Sequence, residues 1–181
     1  MEPAEFPLAK GRVYSVTSKI LNEIQALRNE EKARIFHGFF KTGPGQYGEG
    51  DEFWGIPVPV LRKLAAKYRD LPLETALALL RHPVHETRFF ALLLLIRTFH
   101  EGNLSVKKTV YDAYLSHTRF INNWDLVDLS APPIVGAHLA DKERHVLTSL
   151  AASDLLWERR IAIVATSHFI RNGEFRDTLE I

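Results

Sequence analysis

Eight consecutive residues, Phe89-Phe90-Ala91-Leu92-Leu93-Leu94-Leu95-Ile96, are apolar. Pro83 stands before this run and Gly102 after it, the residue types that open and stop helices. A helix that is apolar on every side has no face to offer water, so it is expected at the centre of the molecule with other helices packed round it. The run is also too short for a bilayer, which takes about 18 apolar residues, and the N-terminus lacks a basic-then-apolar signal pattern. A cytoplasmic protein with no membrane partner is expected.

The rest of the chain repeats the helical signal and nowhere sustains period-two alternation with turn signals. Met1 to Tyr14 carries two prolines and little periodicity and reads as an arm. From Ser15, Val16, Ile20, Ile24 and Leu27 recur at helical spacing as far as Asn29, which then caps a helix over Glu30 to Phe40 with Ile35, Phe36 and Phe39 inward. Pro57 and Pro59 open a helix over Val58 to Arg69, Pro72 one to Arg81, and Pro83 the central one to His100. Leu104 to Ser116 follows, with Val106, Val110, Tyr111, Tyr114 and Leu115 inward. Asp141 is expected to cap a helix to Ala152, Ser153 or Asp154 one over Leu155 to Arg171, and a last helix begins after Gly173.

Helices on short loops pair antiparallel. Arg88-x-x-Ala91 and Arg159-x-x-Ala162 recur at one offset, 159 − 88 = 71, which fits two helix-pair units of about 35 residues each. The expected fold is all-α: a superhelix of stacked antiparallel helix pairs, a HEAT-like or armadillo-like solenoid, forming one domain over residues 15–181 after an arm at 1–14.

Composition narrows the chemistry. With 46% hydrophobic and 25% charged residues among 181, the chain resembles an ordinary globular domain able to bury a large core. It has no cysteine, which removes disulfides, thiolate metal sites and a cysteine nucleophile, and its eight histidines show no His-Glu-x-x-His spacing. His82 and His85 are three apart, but Pro83 between them marks a helix start. A net charge of +1 decides nothing about nucleic acid, since a basic stripe can coexist with an acidic reverse face.

Two stretches stand out. Lys41 to Gly55 holds five of the ten glycines. Without a Gly-Lys-Ser/Thr ending or a preceding strand it is no nucleotide loop. It reads as a shaped inter-helix loop pinned by Tyr47, Phe53 and Trp54, or as a loop whose backbone approaches a ligand. Ile121 to Gly136 reads Ile-Asn-Asn-Trp-Asp-Leu-Val-Asp-Leu-Ser-Ala-Pro-Pro-Ile-Val-Gly. With Asn123 as N-cap, Trp124 and Asp128 fall four residues apart on one helical face, while Asp125 points elsewhere, toward the N-terminal partial charge of the helix. Alone, Trp124 reads as core and Asp128 as a helix-dipole residue; together they offer an aromatic surface beside an anion. Pro132-Pro133 should interrupt or restart this helix.

Asn-Asn-Trp-Asp-Leu-Val-Asp, the earlier Phe-Phe-Lys-Thr-Gly-Pro-Gly-Gln-Tyr-Gly-Glu-Gly-Asp and the later Leu-Trp-Glu-Arg-Arg-Ile-Ala, in this order, resemble the DNA alkylation repair family of AlkD-type DNA glycosylases. The resemblance covers nearly the whole chain from Ser15. It implies a HEAT-like stack whose concave basic face holds double-stranded DNA containing alkylated bases. It also implies hydrolysis of the glycosidic bond of cationic N3- and N7-alkylated purines, with no metal and no organic cofactor, by a monomer. It assigns Asp128 as the catalytic carboxylate, Trp124 as the aromatic packed on the sugar of the damaged nucleotide, and Arg160 as the holder of the DNA backbone. Arg159, Arg88 and Lys41 are further candidates for the DNA face, and Arg62, Lys63, Arg119, Arg144 and Arg171 for the rest of the groove. By this resemblance the Gly-rich loop sets the sequence in a branch distinct from the best-studied glycosylases. The family also continues into helices bearing a second active-site tryptophan, so a fragment, or a site lacking that wall, is expected here. The alternative function is a non-catalytic helical-repeat module binding DNA structures or proteins.

Overall fold

A computed structural model describes the backbone of residues 7–181 and the side chains of 13–181. The central element is α5 (His85–Glu101), the helix of the apolar run, in which Phe90, Ala91, Leu92 and Leu95 are wholly buried. Before it come α1 (Pro7–Gln25), α2 (Glu30–Phe39), α3 (Val58–Ala65) and α4 (Leu73–Leu80). After it come α6 (Leu104–Leu115), a 3-10 turn (Thr118–Phe120), α7 (Trp124–Ala131), a π-helical stretch (Pro132–Gly136), α8 (His145–Ala151), α9 (Leu156–Ala165), α10 (Ser167–Ile170) and α11 (Arg176–Glu180). The fold is an α-α superhelix, with no strand among the described residues. Nor is any described helix long and apolar enough to cross a membrane.

The stacking logic shows in the packing. α5 lies against α3, α4, α6 and α7, and α9 against α7 and α8. The inner row is therefore α5, α7, α9, backed by α4, α6 and α8. Side-chain bonds join neighbouring inner helices: His85 in the first turn of α5 to Asp125 in the first turn of α7, and Asp128 of α7 to Arg160 of α9, each one turn further along its helix. The starts of α5 and α9 are 71 residues apart (156 − 85), so the Arg-x-x-Ala offset does mark equivalent positions on two inner helices.

The backbone is helical from Pro7, a residue suited to a first helical position, where no N–H is needed, and Met1 to Phe6 of the expected arm lie outside the described residues. Three expectations need correction. Ile35 and Phe39 of α2 are 61% and 58% exposed, since α2 lies at the edge with little packed over it. Asp141 does not cap α8, its carboxylate being taken by Lys142 at 2.8 Å, and α8 begins only at His145. The helix expected through Arg171 breaks at Thr166, whose hydroxyl donates to the Ile163 carbonyl at 2.7 Å and accepts from Thr178 at 2.8 Å.

Pro132-Pro133 does not stop α7. The two missing N–H groups are absorbed by a widened π turn that carries the chain on to Gly136. A Cβ on Gly136 would sit 2.5 Å from the Ala165 carbonyl oxygen, so glycine lets this stretch close onto α9.

Candidate active site

Asn123 has extended backbone and caps α7, its Oδ1 accepting from the Trp124 amide at 2.9 Å. α7 then presents Trp124 in its first turn and Asp128 one turn further on, as the spacing predicts. Trp124 is half-buried, stacked on Phe40 (centroids 5.6 Å, 21° between planes) and meeting Phe39 edge-on at 5.9 Å. The indole also borders an open cavity of about 490 Å³ whose walls include Tyr47, Trp157, Arg159 and Arg160. Tyr47 meets Trp157 edge-on at 5.9 Å, so this tyrosine lines the cavity rather than only pinning its loop.

Asp128 is exposed, and Arg160 of α9 grips it with both arms: Nε donates to Oδ1 at 2.9 Å and the second guanidinium nitrogen to Oδ2 at 2.8 Å. The two side chains are 39% and 38% accessible, so the pair is held but open to solvent. The carboxylate's hydrogen bonds hold the Arg160 guanidinium above its ordinary pKa. Asp128 also borders a second and wider groove of about 990 Å³, which carries His100, Lys107, Lys142, His168 and Arg171. The carboxylate thus has one cation in contact, Arg160, and an aromatic wall one turn away, while Lys142 in the wider groove is paired with Asp141.

The other expected DNA contacts diverge. Arg159 is exposed and donates to the Ser153 carbonyl at 2.7 Å. Lys41 is exposed at the start of the Gly-rich loop with φ of 54°. Arg88 is not available to DNA: it is 4% exposed, and its guanidinium donates to Asp51 at 2.6 Å and to the carbonyls of His82 and Pro83. The same position in the repeat holds solvent-facing Arg159, because the Gly-rich loop buries the start of α5 and reaches α9 only through Tyr47 on Trp157.

That cover is a buried polar seam which the sequence did not announce. Asp51 of the loop, 5% exposed, accepts from Arg88, from Asn122 at 2.8 Å, from Asn123 at 3.2 Å and from His85 Nδ1 at 3.2 Å. The other ring nitrogen of His85 donates to Asp125 at 2.8 Å. Glu86, also buried, accepts from the backbone amides of Trp54, Gly55 and Ile56 at 3.0, 2.7 and 3.0 Å. Gly55 has φ of 75°, and a Cβ there would meet the Asn29 carbonyl oxygen at 2.2 Å, so the loop needs this glycine to pass α2. Phe53 stacks on His85 (4.6 Å) and Phe40 (4.9 Å). The loop is therefore a shaped inter-helix loop held by two buried carboxylates and an aromatic stack.

Burial pushes Asp51 up, but the hydrogen bond from His85 and the charge of Arg88 outweigh it and leave Asp51 below the usual carboxylate range. Burial pushes His85 down, yet its bonds to Asp125 and Asp51 prevail and raise it above 6.5. No sequence spacing could have shown this seam, because Asp51, His85 and Asp125 lie 34 and 40 residues apart. Among the described residues, no three histidine, aspartate or glutamate side chains are grouped to hold a metal ion.

The model of the family described as DNA alkylation repair enzyme matches residues 20–181. The chain belongs to the DNA alkylation repair enzyme family. No curated protein and no solved structure matches it. Membership makes DNA repair the general function and DNA the substrate. Within this DNA alkylation repair enzyme, the Trp124, Asp128 and Arg160 face is the candidate site. The seam beneath it belongs to the fold.

Proposed function

We propose that this protein is a DNA glycosylase that hydrolyses the bond between deoxyribose and a cationic N3- or N7-alkylated purine in duplex DNA. The observation that carries the reading is Asp128: an accessible carboxylate, set in place by Arg160, one helical turn from the open face of Trp124.

The chemistry suits these groups. An alkylated purine is already positively charged, so as the C1′–N bond breaks its electron pair leaves with the base and neutralises it. The positive charge passes to the sugar as an oxocarbenium ion. Water then adds to C1′ and gives up a proton, leaving a free base and an abasic sugar. What the protein must supply is negative charge beside that sugar and a place for the water. A carboxylate at about 4 Å contributes roughly 4 kcal/mol at an effective dielectric of 20, which is about a thousandfold in rate. An aromatic face against the nucleotide contributes about 1–3 kcal/mol, mostly to placement. Asp128 therefore has the electrostatic role and Trp124 the positioning role.

Arg160 links binding to this chemistry. While it grips both oxygens of Asp128, the pair presents a dipole rather than a free anion. A DNA phosphate is an equally good bidentate partner for a guanidinium. Transfer of Arg160 from Asp128 to the phosphate keeps the cation paired and leaves the carboxylate to the sugar. Arg159, which lines the same cavity as Trp124 and Arg160, is the further candidate for a backbone contact, and Lys41 is an exposed candidate on the Gly-rich loop.

The deciding measurement is release of 7-methylguanine or 3-methyladenine from methylated duplex DNA, with release expected from the wild type and lost in Asp128→Asn. Absence of release at high protein concentration sinks the reading. One observation favours a non-catalytic DNA-binding module instead, namely that both Asp128 oxygens are already taken. That reading gives salt-dependent DNA binding with no base released.

A further inference from the structure

His85 is the first residue of α5 and is 2% exposed. Each of its ring nitrogens faces a carboxylate oxygen, Asp51 at 3.2 Å and Asp125 at 2.8 Å. A carboxylate only accepts, and a neutral imidazole has a single N–H, so only the imidazolium satisfies both partners. The ring also belongs to a three-ring cluster, with centroids 4.6 Å from Phe53 and 4.9 Å from Phe40, which are themselves stacked 4.9 Å apart.

Both arms of this clamp end at the candidate site. Asp125 adjoins Trp124 and precedes Asp128 by three residues on α7, and its Oδ1 accepts from the Leu126 amide at 2.8 Å, so it is locked into the first turn. Phe40, which touches the His85 ring on one side, stacks on Trp124 at 5.6 Å on the other. The charged groups facing the ring are Asp51 from the loop, Asp125 from α7, and Arg88 and Glu86 from α5 itself. From α2 comes His37, behind Phe53, and from the C-cap of that helix Phe40. Two of the loop-side bonds to Asp51 come from Asn122 and Asn123, which lead directly into α7.

We propose that His85, held as an imidazolium between Asp51 and Asp125, positions the first turn of α7, so that its deprotonation releases Trp124 and Asp128 from their working places. Loss of the ring proton leaves one carboxylate without its donor and places two carboxylates, Asp51 buried and Asp125 partly so, across an uncharged ring, which pushes Asp125 and the turn it belongs to away from α5. His85 does not touch the substrate. The positioning claim stands on the structure alone, while its kinetic consequence rests on the glycosylase reading above. A displacement of about 1 Å in a reacting group costs on the order of a hundredfold in rate, so a fall of roughly ten- to a hundredfold is expected.

The test uses the whole protein. NMR titration of the His85 ring from pH 6 to 9 is followed beside the indole N–H of Trp124, assigned with Trp124→Phe, and beside the rate of 7-methylguanine release. His85 should titrate above 6.5 with the Trp124 resonance and the release rate moving at the same midpoint. His85→Gln, which keeps one hydrogen bond and has no titration, should lose that alkaline limb while releasing base slowly at every pH. A ring that titrates without moving the indole overturns the proposal, as does His85→Gln with wild-type rate and limb. Should the protein release no base at all, the glycosylase reading fails and the coupled titration of ring and indole still decides the positioning role. If His85→Gln does not fold, the wild-type titration decides alone.

Discussion

Helix α7 carries two aspartates three residues apart, each tied to a cation on a neighbouring inner helix, and the two ties differ in almost every respect. Asp125 meets His85 in a seam where the side chains are 14% and 3% accessible. Asp128 meets Arg160 where they are 39% and 38% accessible. A buried charge whose partner is removed stays unpaired in a poor solvent, while an exposed one is rescued by water. The first tie is therefore part of the fold and cannot be exchanged. The second can be given up to a ligand at little cost. Function is expected where the charge pair is reversible, and rigidity where it is not.

The contrast is sharpest in stability. Arg88→Met leaves Asp51 buried with one cation fewer and is expected to cost about 3–5 kcal/mol in urea unfolding, against about 0–1 kcal/mol for Arg160→Met. Equal losses would break the distinction between the two seams. Next in size is Asp128→Asn, which should slow base release about a thousandfold while shifting the unfolding midpoint little. A variant with wild-type release removes Asp128 from the chemistry. Trp124→Ala should cost about 1–3 kcal/mol in the same assay, a tenfold to hundredfold loss, chiefly by misplacing the nucleotide.

The pH dependence of stability probes the buried seam from its two sides. His85 is raised above 6.5 in the folded protein, so the stability it contributes is complete below pH 6.5 and is lost as pH rises through the raised value. Asp51 is lowered below 3.8, so its contribution is present above pH 3.8 and is lost as pH falls through the lowered value. Thermal melts should therefore fall at both ends, and His85→Gln should flatten the alkaline side and, by removing the bond that lowers Asp51, weaken the acid side as well. The smallest effect expected belongs to the exposed pair: Arg160→Gln should weaken DNA binding and lower the salt slope by about one. An unchanged slope removes Arg160 from phosphate contact.

Part of this was readable along the chain. The apolar run from Phe89 to Ile96 does become the central helix, Asn29 and Asn123 do cap α2 and α7, and Trp124 and Asp128 do share a face. These features depend on neighbours within one or two turns, where local sterics and hydrogen bonding decide. Failures occurred where that range was exceeded. Val106 looks inward by spacing but is 36% exposed, because which face of a helix is covered depends on what packs there. Arg88 looks like a groove cation, and its burial follows from a loop residue 37 positions away.

Local pattern was thus enough for the helices, the family and one face of the site. Tertiary packing alone decided that Asp128 stays open beside Arg160 while Asp125 is locked to His85. An aspartate's chemistry depends on the solvent and the charges around it, and those are contributed by the Gly-rich loop, α5 and α9. Two carboxylates on one helical turn, alike on paper, become a structural anchor and a reactive candidate only when those three elements close round them.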